Sequence, residues 1–156
     1  PWADKLRLED LKLISSEGVD DEFKKKSGDI VYEATIDGQD IIFIIMLEFQ
    51  SSVDYSMPVR LLQYMLIQLN RYMADHYRQP NVKDLKLPII FPIVLYNGKE
   101  KWNAALELKD LYENADLYGN GILNFKYDIL DVNNNYSKQE LIDNPNLTSV
   151  LFLFDQ

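Results

Sequence analysis

The sequence predicts an α/β fold, a mixed central sheet flanked by helices, and three observations carry that prediction. Residues 29–36, "DIVYEATI", alternate in polarity, and "IIFIIMLEFQ" at 41–50 follows after a short polar turn. "MPVRLLQYMLIQLNRYMADHY" at 57–77 then changes to helical spacing. Finally, "LPIIFPIVLYNG" at 87–98 returns to a strand pattern. A hairpin is antiparallel, and a helical crossover permits parallel pairing, so the order hairpin, helix, strand indicates a sheet of mixed direction.

Taken in order, the segment from Trp2 to Glu17 is mixed and weakly helical, and "DDEFKKKSGD" leads from it into a glycine where a strand begins. In that strand Ile30, Tyr32, Ala34 and Ile36 form an apolar face, and Asp29, Val31, Glu33 and Thr35 a mostly polar one. Asp37 and Gly38 supply hairpin-turn chemistry. The next strand is apolar on both faces, which predicts a central place in the sheet. In the helix, Ser56 is the expected cap and Pro58 suits the first turn. Leu61, Leu62, Met65, Leu66, Leu69 and Met73 recur at helical spacing. Residues 81–87 read as a loop. The strand after it closes in an Asn97-Gly98 turn, and Pro92 within it predicts an irregular or edge position. "WNAALELKDLYENA" is helical or irregular, and "LNFKYDILDV" contains a fourth strand. "SKQELIDN" starts a short helix, with Ser137 and Glu140 in capping-box spacing.

Composition narrows the chemistry. The 156 residues fit a single domain over 1–156, with 47% hydrophobic and 26% charged residues. No apolar run reaches the roughly 18 residues that span a bilayer, and no signal-peptide order opens the chain, so no membrane partner and a cytoplasmic setting are expected. Cysteine is absent and His76 is the single histidine, which excludes thiolate sites and multi-histidine zinc centres. Any metal ligands are therefore oxygens. The net charge of -9 opposes general electrostatic attraction to nucleic acid. The chain opens at Pro1 and ends in "VLFLFDQ", which reads as a trimmed fragment.

The hairpin decides whether its acids meet. Side chains alternate along a strand, so Glu48 and Gln50 share a face. With a two-residue loop, Asp37 and Gly38, Ile36 faces Gln39, and Asp29 sits opposite Met46, diagonal to Glu48. With a four-residue loop, Asp37 to Asp40, Asp29 lies directly across from Glu48. Either even loop puts both carboxylates on one face, about 4.5 to 8 Å apart at Cβ. A three-residue loop would send Asp29 to the other face. Two such carboxylates repel unless a cation sits between them or one stays protonated. Oxygen ligation with open positions suits magnesium or manganese, and the constellation reads as metal-assisted hydrolysis. The alternative is strand-end carboxylates that face solvent or pair with Lys24 to Lys26.

"GDIVYEATIDGQDIIFIIMLEFQSS", then "MPVRLLQYM", then "LPIIFPIVLYNGKEKW" resemble the recombination-promoting nuclease (Rpn) family of YhgA-like putative transposases, within the PD-(D/E)XK nuclease superfamily. The resemblance runs from about Leu8 to Trp102 and more loosely beyond. It implies a restriction-endonuclease-like PD-(D/E)XK core and a metal-dependent DNA endonuclease that could promote recombination. It also implies catalytic roles for Asp29, Glu48 and Gln50. Asp29, Glu48 and the backbone carbonyl of Phe49 would hold Mg2+ or Mn2+, and Gln50 stands where the superfamily usually has lysine. A glutamine orients water or phosphate through hydrogen bonds but supplies no positive charge. The family pattern includes a further N-terminal helical block that this chain lacks, and Glu9 and Glu17 are poor substitutes for an acid from an early helix.

Arg60, Gln63 and Tyr64 share a helix face and have two readings. They form a supporting row behind the acids, with Arg60 on Glu48 or on a phosphate, or they form a helix margin with Tyr64 in the core. Lys24, Lys25 and Lys26 could meet a DNA backbone or form a solvated loop. Because the chain is acidic, groove contacts are expected from missing segments or from a second subunit, as in a homodimer. The competing function is a non-catalytic interaction module of the same fold, binding a protein or nucleic-acid partner.

Overall fold

A computed structural model describes residues 8–14, 28–48, 52–77 and 83–135. Five strands form one sheet in the order β1 (Lys12–Ile14), β2 (Gly28–Ile36), β3 (Gln39–Glu48), β4 (Ile89–Tyr96) and β5 (Asp128–Asp131). The first three pair antiparallel, whereas β3, β4 and β5 run parallel. The helix α1 (Met57–His76) makes the crossover from β3 to β4, and the four-residue α2 (Val132–Asn135) follows β5. This is the α/β sheet of mixed direction that the pattern predicts.

The β2–β3 turn has the shorter of the two expected even lengths. Ile36 pairs with Gln39, and Asp37 and Gly38 sit at φ 52° and 77°, as a tight turn matched to strand twist requires. β3 is the middle strand, and Ile41 to Ile44 are buried on both faces. Against one face pack Met57, Leu61 and Tyr64 of α1, joined by Trp102 and Tyr127 to a core with Val31, Ile42, Ile44 and Val94. On the other face Phe43 stacks on Phe91 at 5.6 Å near Ala34, Ile36 and Ile41, and Leu95 meets Val132.

Three expectations need correction, and that for Pro92 holds. The weakly helical N-terminal segment contains a 3₁₀ turn at Leu8–Asp10 and then the edge strand β1, too short to show alternation. Pro92 does sit at a local edge: β4 is internal from Ile93 onward, but at Pro92 it pairs only with β3 among the described residues. The β4–β5 ladder starts only at Ile93, so the missing N–H of Pro92 breaks no bond on that side. The buried stripe of α1 is Met57, Pro58, Leu61, Tyr64 and Gln68, while Leu66 is half exposed. Apolar residues surround much of this helix, so hydrophobicity alone does not choose the face that meets the sheet. Finally, Ser56 holds the N-cap position without a side-chain cap bond. The region after β4 folds as three 3₁₀ turns (Leu108–Leu111, Ala115–Leu117, Gly119–Gly121), in line with the helical or irregular reading. The helix expected from Ser137 and Glu140 lies outside the described residues.

Candidate active site

Parallel strands place their carboxyl ends at one edge of a sheet, and open α/β sheets bind ligands there. In this chain those ends carry Glu48, Tyr96 and Asp131. Glu48 pairs with Tyr96 across β3 and β4, and Tyr96 pairs with Asp131 across β4 and β5, so the three form one row. Asp29 pairs with Met46, which leaves it one step diagonal from Glu48. Backbone register therefore assigns positions 29, 46 and 48 to one face, that of Val31, Ile42 and Ile44, which α1 covers. The side chains of Asp29 and Glu48 are outside the description, as are Lys24, Lys25, Lys26, Phe49 and Gln50 altogether.

At this edge the start of α1 is fixed by Asp54. Its Oδ1 accepts the Ser56 backbone N–H at 2.8 Å and the Ser56 hydroxyl at 2.6 Å, and its Oδ2 accepts Arg60 Nη1 at 2.5 Å. Ser56 thus turns its hydroxyl back to Asp54 instead of capping the helix. Burial raises the Asp54 pKa, but the hydrogen bonds from Ser56 and Arg60 outweigh it and hold the carboxyl below its ordinary value. Of the expected supporting row, Arg60 is half-buried on Asp54, Gln63 is exposed and Tyr64 is a core residue at 2% exposure.

Sequence reasoning missed Asp131, buried at 4% exposure. Its Oδ2 accepts the Trp102 backbone N–H at 2.9 Å, and its Oδ1 accepts the Asn134 side-chain amide at 2.8 Å. Trp102 then packs edge-on against Tyr96, with ring centres 4.9 Å apart, and its Nε1 donates to the Tyr127 hydroxyl. Tyr127 in turn donates to the Ala105 carbonyl. Burial pushes the Tyr127 pKa up to about 12, with the Asp54 charge acting in the same direction. Gly98 lies so close to Tyr96 that an added Cβ would fall 2.0 Å from the hydroxyl oxygen. The turn after β4 is therefore seated on the row that contains Glu48. One signal could have found Asp131: like Glu48, it is an acid closing an apolar run.

The opposite end of the sheet holds a cleft of about 440 Å³, lined among others by Asp10, Lys12, Glu33, Asp40, Tyr72 and His76. Asp40 there accepts hydroxyls from Tyr72 at 2.6 Å and Thr35 at 2.9 Å. His76 is exposed, as its place at a helix end predicts, and stacks on Tyr72. Among the described residues no group of three His, Cys, Asp or Glu could hold a metal ion, and no helix is long and apolar enough to cross a membrane.

Comparison with known proteins agrees with the resemblance in the sequence. A family profile described as "Putative transposase, YhgA-like" matches residues 3–155. Recombination-promoting nuclease RpnD of Escherichia coli O157:H7 is 30% identical over 92 residues, covering 58% of this chain and 33% of that protein. Recombination-promoting nuclease RpnC of Escherichia coli strain K12 is 29% identical over 93 residues, covering 59% of this chain and 28% of that protein. The matched stretch thus spans about a third or less of these curated relatives. No solved structure matches the chain.

Proposed function

This chain belongs to the family of YhgA-like putative transposases, and from that premise we propose that it is a metal-dependent DNA endonuclease with a PD-(D/E)XK core, acting in recombination. The observation that carries this reading is the hairpin register, which makes Asp29 the diagonal neighbour of Glu48 at the carboxyl edge of the sheet. The relatives named as recombination-promoting nucleases support it.

Asp29, Glu48 and the Phe49 carbonyl are the groups that would hold magnesium or manganese, and an all-oxygen set suits such hard cations. When bound, the ion supplies Lewis-acid stabilisation of phosphoryl charge and lowers the pKa of a coordinated water. Gln50 orients that water or the phosphate through its amide. Arg60, held on Asp54, fixes the start of α1 beside the strand ends. A cytoplasmic setting and a homodimer that adds groove contacts belong to the same reading.

The test is nicking of supercoiled plasmid by the intact protein in magnesium or manganese. Asp29→Asn and Glu48→Gln should each lower the rate by about a hundredfold or more. Equal cleavage by all three proteins would end the reading. Either ion should also raise Tm, and the combined Asp29→Ala, Glu48→Ala variant should lose that rise. The net charge of -9 favours a second reading, a non-catalytic nuclease-fold interaction module. Folded protein with neither nicking nor a metal-dependent Tm would select it.

A further inference from the structure

We propose that the turn from Asn97 to Trp102 is a DNA backbone subsite, in which Lys99 and Lys101 contact phosphates beside the acid pair. The proposal rests on the nuclease reading and adds to it the source of positive charge. Position 50 carries a neutral amide, and the chain as a whole is acidic. A phosphodiester brought to Asp29 and Glu48 therefore needs cations supplied locally.

The turn meets that need by its anchorage. It leaves β4 at Tyr96, the Cα partner of Glu48. Gly98 then passes against the Tyr96 hydroxyl, on the α1 side of the sheet, the face to which register assigns positions 29 and 48. The far end is tied down by Asp131, which accepts the Trp102 N–H, and by the edge-on packing of Trp102 on Tyr96. Between these anchors Lys99, Glu100 and Lys101 are exposed. Lys99 lies three residues from Tyr96, so its Cα is within about 10 Å of that of Tyr96. Lys101 immediately precedes Trp102. Neither lysine forms an ion pair among the described residues. A lysine on a fixed backbone acts as a point charge for phosphate. Glu100 between them faces outward too and weakens the subsite's net charge.

The salt dependence of binding tests this. Anisotropy of a short fluorescein-labelled DNA duplex, in EDTA to prevent cleavage, is measured between about 50 and 200 mM salt. Lys99→Gln with Lys101→Gln should flatten the slope of log K against log salt by about 1.8, since each phosphate contact contributes about 0.9. Lys83→Gln with Lys86→Gln makes the same charge change in the loop before β4, at the other end of the sheet, and should alter the slope by less than about 0.5. All these lysines are exposed, so Tm should not move. Equal slopes for the two double variants, an unchanged slope for the first, or no DNA binding by the parent chain would overturn the subsite. Plasmid nicking separates the two ideas. A parent that nicks while the Lys99, Lys101 variant keeps its slope removes only the subsite. A parent that binds through these lysines yet never nicks removes only the nuclease.

Discussion

At the carboxyl ends of β3, β4 and β5, Glu48 and Asp131 stand in one row because backbone pairing puts them there. At the opposite end, Asp40, the Cα partner of Thr35 in the β2–β3 ladder, accepts hydroxyls from Thr35 and Tyr72 in the lining of an open cleft. Both regions are acidic, and the second has the more obvious cavity. They differ in how their acids are satisfied. The Asp40 carboxylate accepts two hydroxyls, as a carboxylate does in a structural network. At the carboxyl edge, Asp54 and Asp131 bind the start of α1 and the turn after β4, and so hold the surroundings of Glu48 in place. Acids that accept backbone N–H groups fix the path of the chain, whereas an acid that accepts hydroxyls ties side chains together.

The comparison can be broken most completely through register. Inserting a valine between Tyr32 and Glu33 shifts Asp29 to the other face unless a bulge absorbs it, and should abolish nicking and the metal-dependent rise in Tm. Inserting a glycine between Asp37 and Gly38 only lengthens the turn and should retain both. Asp40→Asn, at the other end, should leave nicking within about threefold, about 0.7 kcal/mol. An effect on stability is expected at the buried anchor. Asp131→Ala strands the Trp102 N–H and should cost about 2 to 4 kcal/mol by urea denaturation, against about 1 to 2 for Asp54→Ala at the edge of α1.

Gly98→Ala forces its new methyl against Tyr96 and should cost about 1 to 3 kcal/mol, whereas Gly121→Ala meets open space and should stay within about 0.5. The smallest effects follow pH. Tyr72 lowers the Asp40 pKa against burial, and hydrogen bonds lower that of Asp54, both from an ordinary 3.8. Their contribution is present above about pH 4 and is lost as pH falls through the depressed native values. The hydrogen bond to Asp40 raises Tyr72, and burial raises Tyr127, each from 10.0 to about 12. Their contribution is present below about pH 10 and is lost as pH rises toward 12. Tm should therefore be flat between about pH 5 and 9 and fall on both sides. A Tm that rose on either side would contradict these assignments.

What could be read in advance depended on the range of the interaction. The β2–β3 hairpin, the central strand and the bounds of α1 were legible because alternation, turn residues and helical spacing are local. So was the face shared by Asp29 and Glu48, since both even loops lead to it. β1 was not, because three residues with a single buried side chain carry no period. The sheet-facing side of α1 was hidden by leucines around the helix, and Ser56 masked Asp54 because both are good capping residues two positions apart. Asp131 closes an apolar run as Glu48 does, but its burial was out of reach, because its partner Trp102 is 29 residues away in the chain.

The two-residue hairpin has a consequence for how this fold can change over generations. Codon substitutions at Asp29 or Glu48 test the chemistry of the edge, while gains or losses of a codon test its geometry, and the chain is unevenly exposed to the latter. At Asp37 and Gly38 an added residue becomes slack outside the ladder. Within the nine residues of β2 the same event inverts everything on one side of it. Lineages of this chain can therefore accumulate length differences at the tip of the hairpin, while its arms keep a fixed count.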